Sequence, residues 1–578
     1  MTTAFTQRTS WQLLRRFWPF YFKDRALVVA SYAAGLAATV ATIAAALPLK
    51  YLIDSVLAGN APRDWVAQYL GALQKPAAIG VLAVAIAAFA AAAAAASALE
   101  KTLNARLREK MTARLREALL ADILCRPLAA LASYRAGEVT LRLIDDTGQV
   151  ARLFCKTAPV AFRHIATTIL TLGAMAMIHP ALGALGLFII VSLAFFVRRA
   201  AGALQETSRE KRAREGAVSG FALEIVRNVR FIRAAGGESE TQARFKARNN
   251  DTLTAGVRET RAAVSLEQRM QIANGFALAI ITGAGGYLAL RGSFSVGDLA
   301  LSLSFLTQLL KPVEKINDLA SSITGALVRA ERLDGFHAAP RAQARIDRPA
   351  AFTGPLRLEH VRFGYGADAP ILNDVSFTLL PGQSVWVRGA SGAGKSTLID
   401  IILRLYEASE GSLSIGATAA ADLDPARWRT AFGVMLQDRR LLAGTIREAV
   451  EFGNGRLSDE QILSALMDAS LAERVATLAD GVDAVIGEEG GNFSGGERAR
   501  LCLARALASQ RPILILDEPL ANLDLHSQRE VLAALARLRG RRTLLIVSHQ
   551  PIPRAAIDRV IDLENGVTSD AEAGRAAS

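Results

Sequence analysis

Six stretches of the chain are apolar over enough length to cross a bilayer as helices, which takes about 20 residues each. They fall near 26–49, 77–99, 160–178, 181–197, 272–290 and 299–319. The second is carried almost wholly by alanine from Ala87 to Ala96, around Phe89, and also reads as an Ala-rich soluble helix. After the second and fourth spans, apolar residues recur at three- and four-residue steps among charges, as in Leu103 and Leu107. That spacing predicts helices that leave the membrane and continue into water. Beyond residue 355 the pattern changes. Leu356 to Phe363 alternates as a strand, and short apolar runs ending near Val387, Leu436, Leu516 and Val547 read as strands buried on both faces.

These patterns divide the chain into an interfacial segment (1–25), a membrane domain (26–333), a linker (334–355), a second domain (356–567) and a disordered tail (568–578). The linker carries Pro340, Pro349 and Pro355. The first segment sets Trp11, Phe17, Trp18, Phe20, Tyr21 and Phe22 beside Arg15, Arg16 and Lys23, which suits a helix in the interface or an aromatic belt. It has no apolar core ending in a cleavage site, so no signal peptide is expected.

The 578 residues are 51% hydrophobic but only 6% aromatic, with a net charge of +13. A basic balance fits nucleic-acid binding or a membrane protein with cationic cytoplasmic loops. Its distribution decides between them. The segments 101–163 and 198–261 hold 12 and 14 Lys/Arg, whereas the three alternate connections hold three together. Cations on alternate sides predict both termini in the cytoplasm, without nucleic acid as partner. Cys125, Cys155 and Cys502 are scattered and predict neither a disulfide framework nor a zinc site. Lys50 and His164 fall within or at the end of spans, where snorkelling toward the interface accounts for them as well as a pathway does.

The sharpest chemistry is Gly389-Ala390-Ser391-Gly392-Ala393-Gly394-Lys395-Ser396, between a strand and a helix that opens with Thr397. Glycines there turn backbone N–H groups toward phosphate oxygens, and the helix start adds positive potential. Lys395 can reach the outer phosphates, and the Ser396 hydroxyl can ligate magnesium. Asp517 and Glu518 end an apolar run; the first acid suits magnesium and the second can deprotonate an attacking water. Gln437 and His549, each ending another apolar run, can reach magnesium, water or the γ-phosphate. Tyr365 can stack on an adenine or serve as a core tyrosine. Ser494-Gly495-Gly496-Glu497 opens a helix with a capping box and offers a second anion site.

Taken together, the second half resembles the ATPase domain of ATP-binding-cassette transporters. The phosphate loop, Gln437, Ser494 to Glu497, Asp517-Glu518, Ala521 to Asp524 and His549 occur in that family's order over about 200 residues. The first half resembles the exporter-type membrane domain. The stretch Leu47 to Asp54, Gly137-Glu138 with Arg142 and Asp145, and Gly297-Asp298-Leu299 support this.

The resemblance implies six transmembrane helices with long cytoplasmic extensions, joined to an α/β P-loop ATPase domain with a helical subdomain. It implies ATP and Mg2+ as cofactors, with a location in the bacterial inner membrane. Nucleotide would contact Tyr365, the phosphate loop, Thr397, Gln437, Ser494 to Glu497, Asp524 and His549. Ser396, Gln437 and Asp517 would hold magnesium; Glu518, His549 and Gln437 would serve catalysis. The expected partners are a second copy of the chain, with a heterodimer as the alternative, membrane lipid and a small or amphipathic cargo. The expected function is ATP-driven export of a drug or lipid. Export of a peptide or secondary metabolite is the alternative. A membrane-anchored ATPase acting on nucleic acid or protein, or an ATP-gated channel, fits the charge pattern and the spans less well. The sequence departs from the family's pattern at Phe493 (usually Leu), Glu497 (usually Gln in exporters) and Pro519 to Asn522.

Overall fold

The computed structural model describes residues 10–58, 65–132, 134, 136–291, 294–337, 352–365, 370–487, 491–521 and 523–570. Most of the expected linker and of the expected tail lie outside these residues. The chain forms two units. The first comprises Met1–Asp122 and Ala136–Ala338; the second comprises Ile123–Arg135 and Ala339–Ser578.

The first unit is helical. Its main elements are α1 (Ser10–Phe22), α2 (Arg25–Ala44), α3 (Lys75–Leu124), α4 (Ala158–Ile178), α5 (Pro180–Arg227), α6 (Glu238–Leu290), α7 (Val296–Glu314) and α8 (Ile316–His337). Helices α3, α5 and α6 run 50, 48 and 53 residues. At 1.5 Å per residue each is about 75 Å long, against a hydrocarbon core of about 30 Å, so more than half of each lies beyond it. The Ala-rich second span is the first part of α3. The chain turns back between Leu124 and Leu128, upstream of the bend expected near Gly137, and again at Asn228.

Among the described residues, five helices are long and apolar enough to cross a membrane: Arg25–Leu57, Lys75–Leu124, Gly137–Ile178, Pro180–Val197 and Glu238–Leu290. The sixth expected span falls on α7 and the start of α8. It is more polar because α7 is an interior helix, whose Leu301, Phe305, Leu306 and Leu309 are buried in the bundle core with Met175, Leu182 and Ile281. A helix shielded by neighbours need not be apolar all round.

The start of α7 explains two of the sequence stretches. The buried Asp54 carboxylate accepts from Ser295 Oγ at 2.6 Å and from the Gly297 N–H at 2.9 Å. Lys50 pairs with Asp298 at 2.7 Å, so this cation is held by a partner and has no need to snorkel. A Cβ on Gly297 would lie 2.5 Å from the Asp54 carboxyl carbon, which is why a glycine stands there. Arg142 pairs with Glu138 at 2.7 Å, and the buried Asp146 receives Arg332 of α8 at 3.2 Å.

The second unit is built on a ten-stranded sheet. The strands in chain order are β1 (Leu356–Phe363), β2 (Leu372–Leu379), β3 (Ser384–Arg388), β4 (Glu410–Ile415), β5 (Thr418–Ala419), β6 (Phe432–Met435), β7 (Ile513–Asp517), β8 (Thr543–Val547), β9 (Arg559–Glu564) and β10 (Val567–Asp570). Antiparallel pairing joins β5, β4, β1 and β2; parallel pairing joins β9, β3, β8, β7 and β6 in that order. Alternate residues of β7 and β8 feed two cores. Leu514, Leu516, Leu544 and Ile546 face a helical layer containing α10 (Gly495–Ala508) and α11 (Leu525–Leu538). Ile513, Ile515, Leu545 and Val547 face the antiparallel strands and α9 (Lys395–Ile402). Strands covered on both faces must be apolar throughout, which is the pattern the sequence carries.

Candidate functional site

Register fixes the site. Val387 pairs with Val547, Val547 with Asp517, and Leu516 with Met435. The loops leaving β3, β8, β7 and β6 therefore emerge side by side at the carboxyl edge of the parallel strands, where open α/β sheets place their ligands. A cavity of about 450 Å3 opens there. Ser391, Gly392, Gly394, Lys395, Ser396 and Thr397 line it, facing Gln437, Asp517, Glu518 and His549. Ile371 completes the wall and carried no signal in the sequence.

The loop after β3 is shaped by glycines. Gly392 and Gly394 have φ of 85° and 96°, the left-handed region that side chains avoid. A Cβ on Gly389 would stand 2.4 Å from the Leu563 carbonyl. Gly394 caps α9, so the helix start points into the cavity mouth. Lys395 Nζ donates to the carbonyls of Gly389 and Ala390 at 2.8 and 2.9 Å. Its ammonium thus spans the loop where an outer phosphate would bind.

Asp517 and Glu518 are each about 5% exposed but differ in surroundings. Burial, with the Glu518 and Asp400 carboxylates beside it, pushes Asp517 up to about 6. Its Oδ1 is buried without a hydrogen-bond partner. Such an atom, beside the Ser396 hydroxyl in the same cavity, is what a hard divalent cation requires. The residues therefore fit magnesium, with the oxygens of Asp517 and Ser396 as its protein ligands.

Glu518 is held tightly. Its backbone φ is 48°, unusual for a non-glycine. Its N–H donates to the Val547 carbonyl at 2.8 Å. Its carboxylate receives the His549 N–H at 3.1 Å and Ser548 Oγ at 3.3 Å, with His549 Nδ1 at 2.8 Å. Arg439, which sequence reasoning missed, donates to the Glu518 carbonyl at 3.0 Å and ties the segment after β6 to the acidic pair. A carboxylate fixed at the mouth of a phosphate pocket is placed to accept a proton from water.

The remaining expected residues lie apart from the cavity. Tyr365 packs edge-on against Phe363 and Tyr406, centroids 5.0 and 5.1 Å away, with its hydroxyl 3.3 Å from Thr397 Oγ1. Ser494 caps α10: its hydroxyl accepts the Glu497 N–H at 3.1 Å, and the Glu497 carboxylate accepts the Ser494 N–H at 2.8 Å. Arg474 donates to the other Glu497 oxygen at 2.6 Å. Burial raises the Glu497 carboxyl, but the Ser494 N–H and Arg474 outweigh it and leave the group below its ordinary value. Asp524 caps α11 through the His526 and Ser527 N–H groups, both at 3.0 Å. None of Ser494 to Glu497 or Asp524 lines the cavity.

Comparison with known proteins agrees with this geometry. The family of ABC transporter transmembrane regions matches residues 28–313, and the ABC transporter family matches residues 372–521. The chain is 27% identical over 521 residues to the ATP-dependent lipid A-core flippase of Pseudomonas fluorescens (strain ATCC BAA-477), covering 90% of this chain and 86% of that protein. It is 26% identical over 533 residues to YgaD of Bacillus subtilis (strain 168), whose name proposes multidrug export, covering 91% and 90%. The structure of a bacterial Atm1-family ABC exporter with ATP bound superposes with a TM-score of 0.78 at 23% identity, covering 94% of each chain.

Proposed function

The chain belongs to the ABC transporter family, with a membrane region and an ATPase in one polypeptide, and from that premise we propose how it works: two identical copies share two ATP pockets and export a lipophilic or amphipathic compound. The observation that carries this reading is the cavity at the edge of β3, β8, β7 and β6, on a chain whose other unit holds membrane-length helices. The names of the lipid A-core flippase and of YgaD support a lipid or drug as cargo. The alternating distribution of cations supports both termini and the ATPase on the cytoplasmic side.

ATP lies with its phosphates on the Gly389–Ser396 loop and on the start of α9. Bound Mg2+, held by Ser396 and Asp517 with Gln437 nearby, supplies positive charge to the phosphates. Glu518 accepts the proton of the attacking water, and His549 fixes the Glu518 carboxylate and reaches toward the γ-phosphate. Ser494, Gly495 and Gly496 lie outside the cavity of their own chain, and they close on the ATP of the second copy. A triphosphate held by both surfaces favours the closed pair, and loss of its γ-phosphate removes that preference. The membrane helices follow.

In vesicles carrying the protein with its ATPase outward, ATP should change the leaflet accessibility of a fluorescent amphiphile. Hydrolysis that moves no amphiphile of any charge would overturn export.

Two further results are expected. A carboxylate at the end of the Ser494 helix would repel the phosphate that the helix attracts, and Arg474 offsets it. Arg474→Gln should therefore lower hydrolysis several-fold, while Arg474→Gln with Glu497→Gln should recover it. Steady-state kinetics of the double-mutant cycle measure this coupling. Asp517, pushed up to about 6, is protonated below that pH and ionised above it. A cation must displace the proton, so apparent Mg2+ affinity should fall about tenfold per pH unit below pH 6 and level off above. Magnesium titrations of hydrolysis across pH 5 to pH 8 read this slope, and Asp517→Asn should abolish it.

A further inference from the structure

We infer that a cation-lined cavity within the helix bundle of the first unit receives the anionic headgroup of the exported amphiphile. This rests on the export reading and narrows its cargo to one charge class. The cavity, about 210 Å3, lies between α2, α3, α4 and α7. Its polar wall is formed by Thr39 and Thr42 of α2, Arg163 and His164 of α4, and Gln308 and Lys311 of α7. No carboxylate lines it.

The positive charge is partly unmet. Arg163 pairs at 3.0 Å with Glu100, which is 3% exposed and sits behind the wall. Among the described residues Lys311 has no carboxylate within ion-pair distance, although it lies in an expected span. Cations in an apolar bundle are costly unless something binds them, and the low dielectric strengthens their attraction for an anion. Gln308 is 8% exposed, and its Oε1 is buried without a partner. Its amide can turn either end toward a ligand. Pro312 has no N–H to give the Gln308 carbonyl one turn before it, so the α7 ladder opens at this wall.

Size sets the rest of the ligand. The cavity holds a phosphate, sulfate or carboxylate group but no acyl chain. Apolar side chains exposed on the same helices, Val40 and Ile165 among them, offer the tail a surface. The Thr39 and Thr42 hydroxyls donate to their own helix, to the carbonyls of Gly35 and Ala38. The cations and Gln308 are therefore the groups left to bind an anion.

The full chain, purified and reconstituted, is tested with dodecyl phosphate, dodecanol, dodecyltrimethylammonium and inorganic phosphate. Binding is read by native mass spectrometry and coupling by stimulated hydrolysis. Dodecyl phosphate is expected to bind and stimulate, with dodecanol and the ammonium compound doing neither. Lys311→Gln should weaken its binding about tenfold or more, and Lys311→Arg should restore it, with ATP affinity and melting temperature reporting the fold. Equal binding of the neutral or cationic amphiphile, insensitive to Lys311, would overturn the inference and leave export standing. Inorganic phosphate binding as tightly as dodecyl phosphate, with the same Lys311 dependence, would make this a free-anion site and overturn it too. No stimulation by any amphiphile would remove the export reading, and this inference with it. Should Lys311→Gln fail to fold, the ligand series on the unaltered chain still decides.

Discussion

Replacing Glu518 by Gln should lower ATP hydrolysis by a factor of about 100 to 10,000, the usual contribution of a positioned general base. The amide keeps the size of the side chain and can still accept from the His549 N–H, so the unusual backbone at φ 48° is retained. ATP binding should therefore survive. Without turnover the γ-phosphate stays in place, and the closed pair should accumulate in ATP. Near-normal hydrolysis by this variant, measured as phosphate release, would refute the assignment of Glu518. Phosphate release lost together with ATP binding would point to a structural role.

The second large effect is expected at Gly496. A Cβ there would lie 2.3 Å from Ser527 Oγ and 2.9 Å from Ser527 Cβ. Ser527 cannot easily yield: it is buried, it receives Arg500 at 3.2 Å, and its hydroxyl donates to Asp524 at 2.9 Å. Gly496→Val should force α10 from α11 and displace the Ser494 turn that closes on the partner's ATP. Hydrolysis should fall at least 100-fold, a loss of the order seen when transition-state contacts are removed. The phosphate loop is elsewhere in the unit, so ATP should still bind; equilibrium binding of a fluorescent ATP analogue separates the two. Unchanged turnover would show that the close approach of Gly496 to Ser527 serves packing alone.

Residues that act through local pattern were legible in the sequence. The glycine loop, the acids at the end of β7 and the Ser494 capping box each carry their geometry within a few positions, and the structure puts them where the pattern implies. Long-range pairings were not legible. Arg474 reaches Glu497 from 23 residues away, and Arg439 reaches the Glu518 carbonyl from 79. The left-handed backbone of Glu518 has no glycine to announce it. Hydropathy also misled around α7. Read as lipid-facing, its polar positions look like noise; as an interior helix, it carries Gln308 and Lys311 into a cavity. Tyr365 shows the same limit, since its position fits an adenine platform while its ring is occupied with Phe363 and Tyr406.

The central claim, that each ATP is shared between two copies, is tested most directly by mixing two dead chains. Lys395→Ala removes the ammonium that serves the phosphates, and Gly496→Val removes the closing surface. Each homodimer should fail to trap nucleotide with vanadate. In a purified mixed dimer, both lesions fall on one pocket and the other is intact, so one nucleotide per dimer should be trapped. No trapping in the mixed dimer, despite correct assembly, would mean that each chain builds its pocket alone, and the account would be contradicted.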